Sequence, residues 1–281
     1  MLLTFLSVFG NHALQLATFF LLMFIVEQLI PAESPNDIRG AVLNCFIGFF
    51  YLIGDAASAI LVASWFTNWP GGIWGALAVS DRGSLLHAIG LAFAWLAARD
   101  FFYYWMHRAQ HKWAWFWAEH AVHHSDEHLN ITTAVRHHWL EVPITTVFVT
   151  IPFVYLVRPP LITVPMVVTL IGLVGVLSHT NASVGLGKLN WLIVNPQNHR
   201  IHHSRLPEHE DKNFAALFPV WDILFGTYYA GRKGEYPPTG LSTREQVTTL
   251  RKSLALPFAA WRKMCIQAWA RRRPKLESPA P

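Results

Sequence analysis

Up to His179 the chain reads as long apolar stretches separated by short polar ones, and beyond it the balance reverses. Leu2 to Ile30 is apolar apart from His12 and Glu27, and Pro31 to Gly40 is polar and rich in turn formers. Ala41 to Phe66 is apolar around Asp55, and Trp69-Pro70-Gly71-Gly72 then reads as an interfacial turn. Leu85 to Trp105 is apolar again, with an aromatic run before His107. A helix crosses a bilayer with about 20 mostly apolar residues, so each of these stretches predicts a span. Pro143 to Val157 and Leu161 to Leu177 are apolar but short, with Arg158-Pro159-Pro160 between them. Together they predict a helical hairpin that enters the bilayer and returns to the same side. From His179 onward the chain reads as mostly polar.

That pattern predicts an all-α protein: a multi-pass transmembrane helical bundle carrying a His-rich cytosolic helical cap. Residues 1–99 form an N-terminal transmembrane region of about two to three spans. Residues 100–229 hold the chemistry and the hairpin, and residues 230–281 form a basic cytosolic tail. The hairpin leaves the His-rich segments before and after it on one face of the membrane.

Composition supports lipid as the solvent for much of the surface. Apolar residues make up 53% of the chain and charged ones 14%, whereas a soluble domain carries about 25% charged residues. Thirteen Trp and nineteen Phe add rings that favour the membrane interface. The net charge of +5 is concentrated late, at Arg251, Lys252, Arg262, Lys263, Arg271, Arg272, Arg273 and Lys275. Such an end reads as facing cytoplasm and anionic headgroups rather than nucleic acid. Cys45 and Cys265 have neither disulfide-framework nor metal-ligand spacing. The apolar N-terminus lacks a basic leader and a small-residue cleavage site and is expected to be a retained span.

Histidine changes the picture most. Of fifteen in the chain, thirteen fall between His107 and His209. His107 and His111 are four apart, and His120, His123 and His124 have the i, i+3, i+4 spacing that places rings on one helical face. His199, His202 and His203 repeat that triplet, and His179 ends an apolar run. Imidazole suits iron, copper and zinc. These rings exceed the three or four ligands that one ion needs, so two ions are the natural count. No His-Glu-x-x-His pairing marks a zinc hydrolase, and local triplets do not suit bis-His haem. A non-catalytic membrane metal-binding or metal-transport protein is the alternative, though its ligands belong mid-span and these lie at span ends.

Asp100-Phe-Phe-Tyr-Tyr-Trp-Met-His107-Arg-Ala-Gln-His111 resembles the first His box of the fatty acid hydroxylase/sterol desaturase superfamily of integral-membrane di-iron enzymes. His120-Ala-Val-His123-His124-Ser resembles the second, and Pro196-Gln-Asn-His199-Arg-Ile-His202-His203-Ser the last. Asn130 to Glu141, His179-Thr-Asn181, Asp211-Lys-Asn213-Phe and Trp221 to Tyr228 are similar to the blocks around them. The resemblance runs from about Asp100 to Tyr229. Trp139 stands where relatives often have Pro, no fused cytochrome b5 domain is expected, and the N-terminal spans carry no matching motif.

The resemblance implies iron ligands at His107, His111, His120, His123, His124, His179, His199, His202 and His203, with His138 as a ligand or a supporting group. His137 and His128 are less secure, and His209 is expected at the surface. It also implies two iron ions, O2 as co-substrate, a lipid substrate such as a sterol, fatty acyl or alkyl-ether lipid, and hydroxylation or desaturation of a C–H bond. An external electron donor is required, a cytochrome b5, a ferredoxin or another reductant. The expected location is a bacterial inner membrane or the endoplasmic reticulum, with the site and the C-terminus cytoplasmic.

Metal-bound histidine usually donates its other N–H to a carboxylate or carbonyl. Asp100, on the helical face of His107, is a candidate for that role, and Asn181 for holding His179. Arg136 and Glu141 are expected to pair with each other or to orient His138. Asp222 reads as a brace, and Asp211 as a partner of Arg200 or Arg205. Trp105, Trp113, Trp115 and Trp117 form either an interfacial aromatic belt or the mouth of a lipid channel.

Overall fold

Asp37 starts the second helix by accepting the Arg39 N–H on its side chain and the Ala41 N–H on its carbonyl, the usual work of an N-cap aspartate. The computed structural model describes residues 2–33, 37–66, 85–157 and 163–272. Among them every regular element is helical, and the extended pairings are two isolated bridges, Pro31 with Ala182 and Ser204 with Thr239. The turn expected at Trp69–Gly72, the break at Arg158–Pro160, and Arg273 and Lys275 of the tail lie outside the described residues.

Each apolar stretch forms a helix. Helix α1 is Leu2–Leu29, α2 is Ile38–Phe66 and α3 is Leu85–Lys112. No breaker separates the apolar part of α3 from its first His pair, so the helix runs past Trp105 and carries His107 and His111 on its last turns. Helix α4 (Ala114–His124) follows at once. A 3-10 turn at Ile131–Val135 begins with a capping box between Asn130 and Thr133. Helix α5 (Glu141–Val157) contains one π turn, Thr146–Thr150, just before Pro152, which has no N–H to give the ladder. Helix α6 is Thr163–His179. Helix α7 (Pro196–His202) has Asn195 accepting the Gln197 and Asn198 N–H groups and proline at its first position. Helices α8 (Val220–Leu224) and α9 (Leu250–Arg272) complete the set.

Helices α3 and α5 meet through buried Trp95, Phe153 and Val157, and α2 lies against the 3-10 turn and α5. Gly48 permits that approach, because a Cβ there would stand 2.7 Å from the Val135 side chain. Among the described residues Ile38–Trp65 is the one helix long and apolar enough to cross a membrane, with a mean hydropathy of 2.0 in its best window. Ala17–Leu29, Glu141–Val157 and Leu170–His179 are shorter apolar helices.

The segment after His179 is less polar than its sequence suggests. Leu189, Trp191, Leu192, Val220, Ile223 and Leu224 are all exposed there. Gly, Lys, Asn and Asp interrupt these short runs along the chain, which hides their apolar character in the sequence.

Candidate metal centre

Four elements deliver the histidines. The end of α3 supplies His107 and His111, α4 supplies His120, His123 and His124, the end of α6 supplies His179, and α7 with its C-cap supplies His199, His202 and His203. Nine rings converge in two adjoining groups. His107, His111, His120, His124 and His202 form one, and His123, His179, His199 and His203 the other, the potential ligand atoms of each lying within 4.8 Å of one another.

Both triplets are divided between the groups. At about 100° per residue, i+3 lies about 60° to one side of i and i+4 about 40° to the other, so within one broad face the i+3 ring points away from the other two. Helix α4 therefore gives two rings to the first group and one to the second, and α7 does the reverse. The groups touch where His124 stacks on His203, centroids 4.3 Å apart.

The ring nitrogens are set for metal binding. His107 donates Nδ1–H to the Phe214 carbonyl at 2.7 Å, His202 to Lys212 at 2.8 Å and His179 to Gly175 at 2.6 Å. Each bond fixes the tautomer that leaves Nε2 as a bare lone pair. His107 Nε2 faces His120 Nε2 at 3.0 Å, and His179 Nε2 faces those of His123 and His199 at 3.2 and 2.9 Å. Two ligands at right angles, each about 2.1 Å from one ion, stand about 3 Å apart. Nε2 of His111, His124 and His202 is buried without a protein partner. Converging, unpartnered imidazole nitrogens of this kind fit a pair of cations.

Burial, with repulsion from neighbouring rings, holds His123, His124, His199 and His203 well below the usual imidazole range. Burial also brings His202 down to about 3. All are therefore neutral at physiological pH, the form that ligates metal.

His138 stands outside both groups. Its Nδ1 accepts the Leu140 N–H and its Nε2 meets the Leu254 carbonyl at 3.3 Å, so both nitrogens are engaged with backbone. His137 lies closer, stacked on His123 with centroids 4.1 Å apart. His128 is near Glu33. His209, expected at the surface, is buried against Ser204 and Glu235.

The supporting residues are arranged differently from expectation. Asp100 does not bond to a histidine. Its carboxylate accepts the backbone N–H groups of Ala216, Leu217 and Phe218. Asp222 does the same for Phe214 and Ala215 and accepts from Thr227. Two carboxylates thus clamp the loop whose Phe214 carbonyl orients His107.

Arg136 makes no bond to Glu141 or His138. It binds the Val122 carbonyl and Ser125 at the end of α4, Asn44 on α2 and the Val247 carbonyl, locking the second box to its neighbours. Glu141 instead lies 3.4 Å from His120 Nδ1 and 3.8 Å from His137 Nδ1. Asn181 does not hold His179; it bonds Glu33 and Arg200. Arg200 pairs with Glu33 and Arg205 with Glu127, while Asp211 serves a turn of positive φ.

Sequence reasoning missed Glu119, next to His120. It is fully buried and accepts Gln110 Nε2 at 2.6 Å, and burial together with the charge of Glu141 pushes its carboxyl up to about 11. An acid immediately before a His box inside a helix was the available signal. Among the tryptophans, Trp105, Trp113 and Trp115 face outward, whereas Trp117 packs on His111 and His124.

The helices and the paired groups of rings define a class: an all-helical protein built around a histidine-rich candidate metal centre. Residues 92–227, which contain every one of those rings, match the fatty acid hydroxylase family model. It is 36% identical over 129 residues to alkylglycerol monooxygenase of Xenopus tropicalis, covering 46% of this chain and 28% of the relative. The human alkylglycerol monooxygenase is 35% identical over 131 residues, 47% of this chain and 29% of the relative. The ornithine lipid hydroxylase of Rhizobium tropici is 27% identical over 164 residues, 58% and 49%. The matched region thus spans less than a third of the alkylglycerol monooxygenases and about half of the ornithine lipid hydroxylase. No solved structure matches the chain.

Proposed function

We propose that this chain is an O2-dependent lipid hydroxylase that holds two iron ions, one in each group of histidines, at the cytoplasmic face of a membrane. The observation that carries the reading is the convergence of nine imidazoles, eight of them buried, into two adjoining sets. Relatives named as lipid hydroxylases and monooxygenases support hydroxylation over desaturation. When bound, an iron pair supplies the redox chemistry that O2 needs to attack an unactivated C–H bond.

The chain's own residues do the rest. The carbonyls of Phe214, Lys212 and Gly175 hold three rings in the metal-binding tautomer, and Asp100 and Asp222 keep the first of those carbonyls in place. Glu141 stands behind His120. The apolar helices anchor this centre as a multi-pass bundle, and the substrate arrives from the bilayer. Electrons come from a separate cytoplasmic donor, a cytochrome b5, a ferredoxin or another reductant.

The test is purification from membranes with iron and zinc quantified, followed by comparative lipidomics of cells with and without the protein. Two irons per chain and a lipid heavier by one oxygen are expected. Zinc in place of iron, with no change in any lipid, would overturn the proposal in favour of a metal-binding protein.

A further inference from the structure

The loop that carries Phe214 does more than orient His107: it runs down α3 and comes back. Phe214 packs against Tyr104 and His107, with ring centroids 6.1 and 5.6 Å apart. Four residues later the Phe218 ring is 4.9 Å from Phe93. Phe93 precedes His107 by fourteen residues, about 21 Å along the helix axis. The chain then turns into α8, where the Trp221 ring is 5.0 Å from Phe101, and Phe225 returns to Trp105 at 4.8 Å.

The irregular stretch of this dip is satisfied from within the protein. Five consecutive N–H groups, Phe214 to Phe218, are accepted by the carboxylates of Asp222 and Asp100, and the next residue, Pro219, has no N–H. The Phe214, Leu217 and Phe218 carbonyls accept from His107, Val194 and Trp221. Orienting His107 needs only the first of these carbonyls. A loop in water has its N–H groups hydrated and gains little from two buried carboxylates, whose desolvation is costly. Irregular backbone at membrane depth, by contrast, must find its partners inside the protein. The side chains agree. At the turn of the dip Val220, Ile223 and Leu224 are exposed, Leu224 by 63%, and so is Phe93, against Phe218. The bond from the Val194 N–H to the Leu217 carbonyl joins a second exposed apolar run, Leu189, Trp191, Leu192 and Ile193, to this loop.

We propose that Phe214–Phe225 is a re-entrant lip seated in the bilayer, with Val220, Ile223 and Leu224 in contact with acyl chains rather than with water or a second protein. The polar reading of the chain beyond His179 assigns this segment to a cytosolic cap. The lip instead brings hydrocarbon to the edge of the candidate metal centre through Phe214, whose ring also lies against His111 and His202. The inference rests on the membrane anchoring in the proposed function and adds to it a lipid contact outside the long apolar helices.

The test uses the full chain carrying Cys45→Ser and Cys265→Ser, reconstituted in dioleoylphosphatidylcholine vesicles. Val220→Cys, Ile223→Cys and Leu224→Cys are introduced one at a time and labelled with bimane. Leu61→Cys on α2 serves as the lipid reference and Glu210→Cys as the aqueous one, both positions being exposed. The three lip labels are expected to lose most of their emission when the vesicle lipid is brominated on its acyl chains, as the Leu61 label does. They should keep it in iodide, which quenches the Glu210 label. Lip labels quenched by iodide and spared by brominated lipid overturn the inference. So do lip labels shielded from both quenchers, which would show that a second copy or another protein covers the lip. Three separate positions keep the test decisive if one label disturbs the fold. A Leu61 label spared by brominated lipid fails the membrane anchoring of the proposed function together with this inference, whereas a quenched Leu61 label beside spared lip labels fails this inference alone.

Discussion

At the scale of single residues, the candidate centre separates the nine converging rings from their supports by where each nitrogen points. His124 and His203 belong to different groups and stack on each other, so His124→Ala and His203→Ala should each lower bound iron and abolish lipid oxidation while the protein stays in the membrane. His138→Ala should keep the full metal complement, since both nitrogens of that ring are engaged with backbone. Elemental analysis of the three purified variants checks this, and full iron in both group variants would count against the assignment. Asp222→Ala leaves the Phe214 and Ala215 N–H groups without their acceptor. It should cost roughly 1–3 kcal/mol of stability per orphaned donor and weaken metal binding about 10–100-fold through His107. Denaturant unfolding and competition with a chelator measure the two effects.

At the scale of elements, the site depends on close approach between helices that contribute none of the converging histidines and those that do. Helix α2 carries none of the converging histidines, yet it presents Asn44 to Arg136 and Asp126 and packs Gly48 against Val135. A methyl group at position 48 would lie 2.7 Å from the Val135 side chain and 2.9 Å from its carbonyl oxygen. Gly48→Ala must therefore push α2 away from the 3-10 turn, at a cost of about 1–3 kcal/mol. The expected readout is a lower thermal midpoint, with metal content reduced less than in the His124 and His203 variants. An unchanged midpoint would show that the contact is not needed.

At the scale of the whole molecule, the centre is a block of neutral rings held out of water. His202 titrates at about 3 in the folded protein because it is buried, whereas an unfolded histidine titrates near 6.5. Below that value the unfolded chain takes up protons that the folded one refuses. The stability of the metal-free protein should therefore be fully present above about pH 6.5 and be lost as pH falls toward about 3. His123, His124, His199 and His203 shift in the same direction and steepen the loss. Thermal midpoints of chelator-stripped protein at about pH 7.5 and 5 test this, and equal midpoints would contradict the buried, neutral rings.

The helical class, the grouping of the nine histidines and the resemblance to the family were legible along the chain, because helical spacing is local: i, i+3 and i+4 share one broad face whatever the rest of the fold does. What the sequence could not assign was partnership across the fold. Asp100 sits on the same face of its helix as His107, yet it bonds a loop 116 to 118 residues away, and Arg136 reaches Asn44 and Val247 rather than Glu141. His138 reads along the chain as a ligand or a supporting group, whereas in the fold the helix Leu250–Arg272 supplies a carbonyl for it. Spacing along one helix determines which side chains can act together, whereas the partner of a charge or a second nitrogen is chosen by whichever distant backbone the packing brings within hydrogen-bond reach.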